Sequence, residues 1–162
     1  MWLWIKGILF TILVPGTVAG YIPYTIMRNR LADMHIGLFH WSGLLTIITG
    51  IIIYLLTAVS LLKGKGTPAI WFTKAISFVI GEEPLKMVSS GLYKYSRNPM
   101  YIGVITAVIG EALYFQYSGL LWYALSLFII FTFVIIFIEE PHLEKKFGDE
   151  YRAYKKRTRR WL

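Results

Sequence analysis

The sequence contains no cysteine. That excludes a disulfide framework, a thiolate nucleophile and a cysteine-ligated zinc site. Charge is scarce too: 16% of residues are charged, where a soluble domain carries about a quarter. Internal repeats and low-complexity tracts are missing, so the 162 residues read as one domain, 1–162. What fills the space is apolar. Hydrophobic residues make up 56% of the chain, and the mean hydropathy is +0.56. The net charge of +8 would suit a nucleic acid. Its basic residues flank apolar runs instead of forming a stripe, however, so a membrane surface is the expected partner and nucleic acid is not.

A bilayer core takes roughly 20 apolar residues of helix. The expected fold class is therefore all-α: a polytopic membrane bundle of about four transmembrane helices, with residues 1–62 forming the N-terminal spans. The first span runs from about Trp2 to Ile26, and Pro15, Gly16, Gly20 and Pro23 predict a kink in it. A cleaved signal peptide is the competing reading. Trp2, Trp4 and the long apolar continuation argue against it. The second span covers about Ile36–Leu62, the third Pro99–Tyr117 and the fourth Leu120–Ile138. Between the second and third, Ala69–Ile80 is too short to cross and reads as an interfacial or re-entrant helix.

The basic residues set an orientation. With the 63–98 segment, Lys6 and the C-terminus on one side, fifteen Lys and Arg lie there, and Arg28 and Arg30 lie opposite. That bias puts both termini and the middle segment in the cytoplasm. The turns near 27–35 and 117–119 then face outward.

Spans three and four read as equal arms of roughly 28 Å, joined by a turn at Ser118-Gly119. Equal arms bring Arg97 and Tyr101 near Glu139 and Glu140. Pro99 suits the first turn of a helix, where its missing N–H is not needed. Pro141 is expected to start a new helix and to push Glu140 out of helical geometry. An Arg by itself would be a headgroup anchor, and two adjacent acids a solvated helix end. Together, in basic surroundings, they make a polar site at one membrane face. Such a site suits a cationic ligand or ribose hydroxyls.

Beyond Pro141, Leu143, Phe147, Tyr151 and Tyr154 mark one face of an amphipathic cytoplasmic helix pair with Gly148 at the bend. Lys155 to Trp161 reads as a headgroup-binding tail with an aromatic anchor. Glu111, inside span three, is a functional candidate by position, with snorkelling or capping as the plainer reading. His35 and His40 are five residues apart and share no helix face, so no metal site is expected.

The residues Gly64-Lys65-Gly66-Thr67-Pro68, Gly91-Leu92-Tyr93, Arg97-Asn98-Pro99-Met100-Tyr101-Ile102-Gly103 and Glu139-Glu140, with Leu143, Phe147-Gly148 and Tyr151, carry a specific likeness. From about Gly64 to Trp161 the chain resembles the isoprenylcysteine carboxyl methyltransferase and phospholipid methyltransferase superfamily. These are small integral-membrane enzymes that use S-adenosylmethionine. The resemblance implies a cofactor-binding core over 63–162. It implies Arg97 and Glu139 as catalytic residues, and a cofactor pocket built from Tyr93, Arg97, Asn98, Pro99, Tyr101, Gly103, Glu139, Glu140, His142 and Tyr151. Several members have His where this chain has Asn98, and Asn cannot serve as a base near neutral pH.

The function this implies is methyl transfer from S-adenosylmethionine to a lipophilic acceptor that enters from the lipid. The acceptor is either a prenylcysteine-type carboxylate or a phospholipid amine. An amine would need a base, for which His142 or a glutamate is available. Two other classes remain as alternatives: an NADPH-dependent sterol-type enone reductase and a non-catalytic lipid-binding membrane protein.

Overall fold

The computed structural model describes residues 2–63 and 87–162. The expected re-entrant run at 69–80 and the Gly64–Pro68 element lie outside the described residues. Seven α-helices are described: α1 (Trp2–Gly16), α2 (Ile22–Met27), α3 (His40–Lys63), α4 (Pro99–Tyr114), α5 (Ser118–Val134), α6 (Glu140–Phe147) and α7 (Asp149–Arg157). No strand occurs among the described residues beyond one isolated parallel bridge, Ser96 to Arg159. The all-α expectation holds.

Two π-turns, Thr17–Tyr21 and Ile135–Glu139, weld α1 to α2 and α5 to α6. Each ends two residues before a proline, Pro23 and Pro141. A proline ring collides with the carbonyl four residues back and leaves that carbonyl unpaired. In both turns the wider register relieves the collision: the N–H of Ile22 reaches the Thr17 carbonyl, and that of Glu140 reaches the Ile135 carbonyl. In the first turn Ala19 leaves helical geometry (φ −109°, ψ 16°), which is the expected kink. The nearby Val18 carbonyl accepts a hydrogen bond from the Tyr123 hydroxyl at 2.8 Å.

Three expectations are corrected here. Pro141 does not break the helix, because the π-turn absorbs it, and Glu140 keeps helical angles (φ −60°, ψ −44°). The helix therefore runs unbroken from Ser118 to Phe147, 30 residues, against 16 for α4, so the arms are unequal. The turn between them falls at Phe115–Tyr117, with Gln116 left-handed at φ 54°, and Ser118 already opens α5.

Among the described residues, two helices are long and apolar enough to cross a membrane, Gly37–Lys63 and Ser118–Phe147. Ile12–Met27 and Pro99–Tyr114 are shorter apolar helices. Both long helices turn large apolar side chains outward, such as Ile52 and Leu56 on α3 and Ile130 and Phe133 on α5. Helices from the core of a soluble protein would bury them.

The tightest seam lies between α3 and α4. Gly43 and Gly50 on α3 face Gly110 and Gly103 on α4, each pair seven residues apart. A Cβ on Gly50 would sit 2.5 Å from the Ala107 nitrogen and 2.6 Å from the Gly103 carbonyl oxygen. The two backbones touch directly, as small residues allow between apolar helices. α5 closes over this pair through Ala124 and Leu127 against Val108, with Val18 and Ala19 packed alongside.

At the end expected to face outward, the loops at 33–36 and 115–118 clamp one another. The Asp33 carboxylate accepts the Ser118 N–H at 2.7 Å and the Ser118 hydroxyl at 2.6 Å. The Gln116 carbonyl accepts the N–H groups of Asp33 and Met34, both at 3.0 Å.

Candidate active site

At the opposite end of α4 the chain gathers its buried charge. Pro99 is the first residue of α4 and is buried. Just before it, Tyr93 lies in a short 3-10 turn (Gly91–Lys94), and Arg97 follows. One turn into α4, the Tyr101 ring leans on Phe131 of α5, centroids 4.5 Å apart. Its hydroxyl donates to Glu139 Oε1 at 2.5 Å. This is the pairing of the Arg97–Tyr101 segment with Glu139 that the hairpin argument predicts, reached by unequal arms.

Adjacent residues on a helix point about 100° apart. Glu139 therefore faces Tyr101, and Glu140 faces a cluster of cations. Arg97 Nη1 stands 3.0 Å from Glu140 Oε1, with the two side chains 10% and 8% exposed. Arg160, from the C-terminal tail, grips both oxygens of Glu140, Nε to Oε1 at 2.7 Å and Nη2 to Oε2 at 3.2 Å. Lys155 Nζ lies 3.8 Å from Oε2 and forms a closer pair, 3.2 Å, with Glu144.

Tyr151 and Tyr154, both buried on α7, close the site from above. Desolvation pushes the Tyr151 phenol up to about 12, against a smaller downward pull from neighbouring Arg97. Burial also raises the Tyr154 and Tyr93 phenols. All three are neutral donors at pH 7. Tyr154 spends its hydroxyl on the Tyr93 carbonyl, at 2.7 Å, which ties α7 to the 3-10 turn.

The remaining expected site residues take supporting positions. The Asn98 side-chain amide donates to the Arg160 carbonyl at 2.9 Å, so it holds the tail. Gly103 meets the backbone of Gly50 and Tyr54 in the α3–α4 seam. His142, partly buried, leaves α6 on the face opposite Glu140, two residues on. Glu111 lies roughly 15 Å along α4 from Tyr101 and joins no part of this site; its Oε2 is buried with no hydrogen-bond partner among the described residues.

Arg160, Lys155, Ser96 and Tyr154 are neighbours of this candidate site that sequence reasoning missed. The sequence carries no signal that singles out Arg160 within its run of basic residues; the structure does, with Arg159 exposed and Arg160 half-buried.

Beside the cations, Ile136, Glu140, Pro141, Glu144, Lys145, Arg152 and Lys155 line an open cleft of about 360 Å³. Within the cluster, Arg97 Nε and Nη1 are buried and form no hydrogen bond among the described residues. Nη1 keeps its ion pair with Glu140, but a buried donor such as Nε is costly unless a partner arrives.

Residues 38–150 match the phospholipid methyltransferase family. The chain belongs to that family. Among curated proteins it is 41% identical over 64 residues to an uncharacterized protein of Haemophilus influenzae, a stretch covering 39% of this chain and all of that one. It is 38% identical over 82 residues to methanethiol S-methyltransferase 1 of Bradyrhizobium diazoefficiens, which is 49% of this chain and 28% of that enzyme. No solved structure matches the chain. The family and the second relative both point to a membrane methyltransferase, as the residues at the site led one to expect.

Proposed function

We propose that the chain is a multi-pass membrane enzyme that transfers a methyl group from S-adenosylmethionine to a lipophilic acceptor. Arg97 carries this reading. A guanidinium 90% withdrawn from solvent, ion-paired to Glu140 through Nη1 and with an Nε that meets no acceptor among the described residues, suits the carboxylate of an amino-acid-bearing ligand. Glu139, fixed by Tyr101, suits an amine or ribose hydroxyls. These are complementary ends of one cofactor, and the donor set fits it. The cofactor supplies an activated methyl on a sulfonium.

What remains for the protein is positioning and exclusion of water. Arg97 and Glu139 would hold the ligand's charged ends and orient it. Tyr93, Tyr101 and Tyr151 would wall the pocket, and their neutral rings favour a cation nearby. Glu140 would hold Arg97 in place. Asn98, Pro99 and Gly103 would act through the backbone they fix, and His142 would serve as a base if the acceptor must lose a proton. Four crossings, with both termini and the site on the cytoplasmic side, follow from the distribution of basic residues.

Three acceptor classes fit a site whose work is positioning: a prenylcysteine-type carboxylate, a phospholipid amine and, from the name of the Bradyrhizobium relative, a thiol. Transfer of labelled methyl to each class in turn separates them. The test of the cofactor comes first. Calorimetric titration of detergent-purified protein with S-adenosylhomocysteine is expected to give saturable binding that Arg97→Ala abolishes. Folded protein that binds none would overturn the proposal, and NADPH would be the next ligand tried.

A further inference from the structure

The last residues of the described chain fold back as a strap. Ser96 and Arg159 form a parallel bridge, and the Arg97 N–H donates to the Arg159 carbonyl at 2.9 Å. The Arg160 carbonyl accepts from Asn98 Nδ2 at 2.9 Å and from the Ser96 hydroxyl at 3.2 Å. Ser96 is 2% exposed, so these bonds lie in the interior. Trp161 pins the strap further along by packing on Phe128, centroids 4.9 Å apart. A headgroup-binding tail would need none of this.

The strap delivers one side chain inward. Arg160 occupies both oxygens of Glu140 in a fork, the geometry guanidinium and carboxylate prefer. Arg97 Nη1 is ion-paired to the same oxygen that Arg160 Nε uses, yet it makes no hydrogen bond among the described residues. The two arginines compete for one carboxylate, and Arg160 holds the bonded position. Removing Arg160 would leave Oε1 to Arg97 alone and draw its guanidinium further onto Glu140.

We propose that Arg160 is a positioning residue: by taking the hydrogen-bonding positions on Glu140 it keeps the Arg97 guanidinium from being drawn fully onto that carboxylate, and so sets the site's recognition of a carboxylate-bearing ligand. This rests on the methyltransferase reading. It adds that the C-terminal strap belongs to the binding site and that its contribution is selective for one end of the cofactor.

The test compares two ligands by calorimetry on the full chain in detergent: S-adenosylhomocysteine, and its decarboxylated analogue, which keeps the adenosine, thioether and amine. Wild-type protein is expected to prefer the carboxylate-bearing ligand roughly 10- to 100-fold, the range for a charged hydrogen bond. In Arg160→Ala that preference is expected to fall to about threefold or less, with the analogue bound as before. Arg160→Lys, which keeps the charge but not the fork, is expected to lie between. If Arg160→Ala does not fold, Arg160→Lys decides, and a full preference in it overturns the proposal. So does an undiminished preference in Arg160→Ala, or an equal loss of both ligands, which a purely structural role would give. Wild-type protein that binds neither ligand removes the methyltransferase reading, and this inference with it.

Discussion

The middle of α4 and its N-terminus meet their neighbours in opposite ways. Along its middle, Gly103 and Gly110 lie against α3 with backbone touching backbone, and no side chain separates them. At its N-terminus the contacts to the α5–α6 junction run through long polar side chains: Tyr101 to Glu139, and Arg97 and Arg160 to Glu140. The first contact has no slack. The second leaves Arg97 Nε, a buried donor, without a partner among the described residues. A close seam holds the helices in register, and an under-satisfied polar cluster is where a ligand has something to complete. Changes in the seam should therefore destroy the protein, whereas changes in the cluster should destroy its chemistry.

Gly50→Leu should have the largest effect. Its side chain would drive into the Ala107 and Gly103 backbones, which cannot rotate away. Overpacking a core costs about 1–3 kcal/mol where side chains can move, and more is expected against backbone. Size-exclusion chromatography of detergent-extracted protein should show aggregate in place of a folded peak. Gly20 is the control: nothing lies within 4 Å of the space its Cβ would take, so Gly20→Ala should elute as wild type. An unchanged peak for Gly50→Leu would dissolve the contrast.

Next come the two residues that face the proposed cofactor. Arg97→Ala and Glu139→Ala should each lower methyl transfer by roughly 100-fold or more, the scale of losing a charged, positioned contact. Both variants should still extract as a folded peak, the reverse of Gly50→Leu. Tyr101→Phe should be milder, about 10-fold in kcat/KM, since it removes one hydrogen bond to a carboxylate and keeps the ring on Phe131. A Tyr101→Phe enzyme with wild-type kinetics would mean that the orientation of Glu139 does not matter.

How much of this the sequence revealed follows from which interactions leave a local trace. The helices are legible because apolar runs of the right length are a one-dimensional signal. Arg97, Tyr101, Glu139 and Glu140 are legible because a hairpin must bring its ends together. The unbroken helix through Pro141 is not, because proline rules predict a break, and only the geometry reveals the π-turn that avoids it. The Gly43, Gly50, Gly103 and Gly110 seam is illegible from either helix alone, since its meaning is the partner it touches. Arg160 sits in a run of cations that also describes a tail on anionic lipid, and only the fold-back at Ser96 separates the two.

The smallest expected effect lies at the far end of the bundle, where Asp33 clamps the start of α5. Its carboxylate is exposed and bonded to the Ser118 hydroxyl and N–H, which together hold its pKa below the ordinary 3.8. A carboxyl with a depressed folded pKa binds protons more readily in the unfolded chain. Its stabilising contribution is therefore complete above 3.8 and is lost as the pH falls through the lower, folded value. Asp33→Ala should lower the melting temperature slightly at pH 7, with the difference from wild type narrowing on acidification below the ordinary carboxylate range. Methyl transfer at pH 7 should be unchanged, because the clamp lies at the other end of α4 from Arg97 and Glu139. A loss of turnover in Asp33→Ala without a change in melting would show that the two ends communicate, and the division between scaffold and site would have to be redrawn.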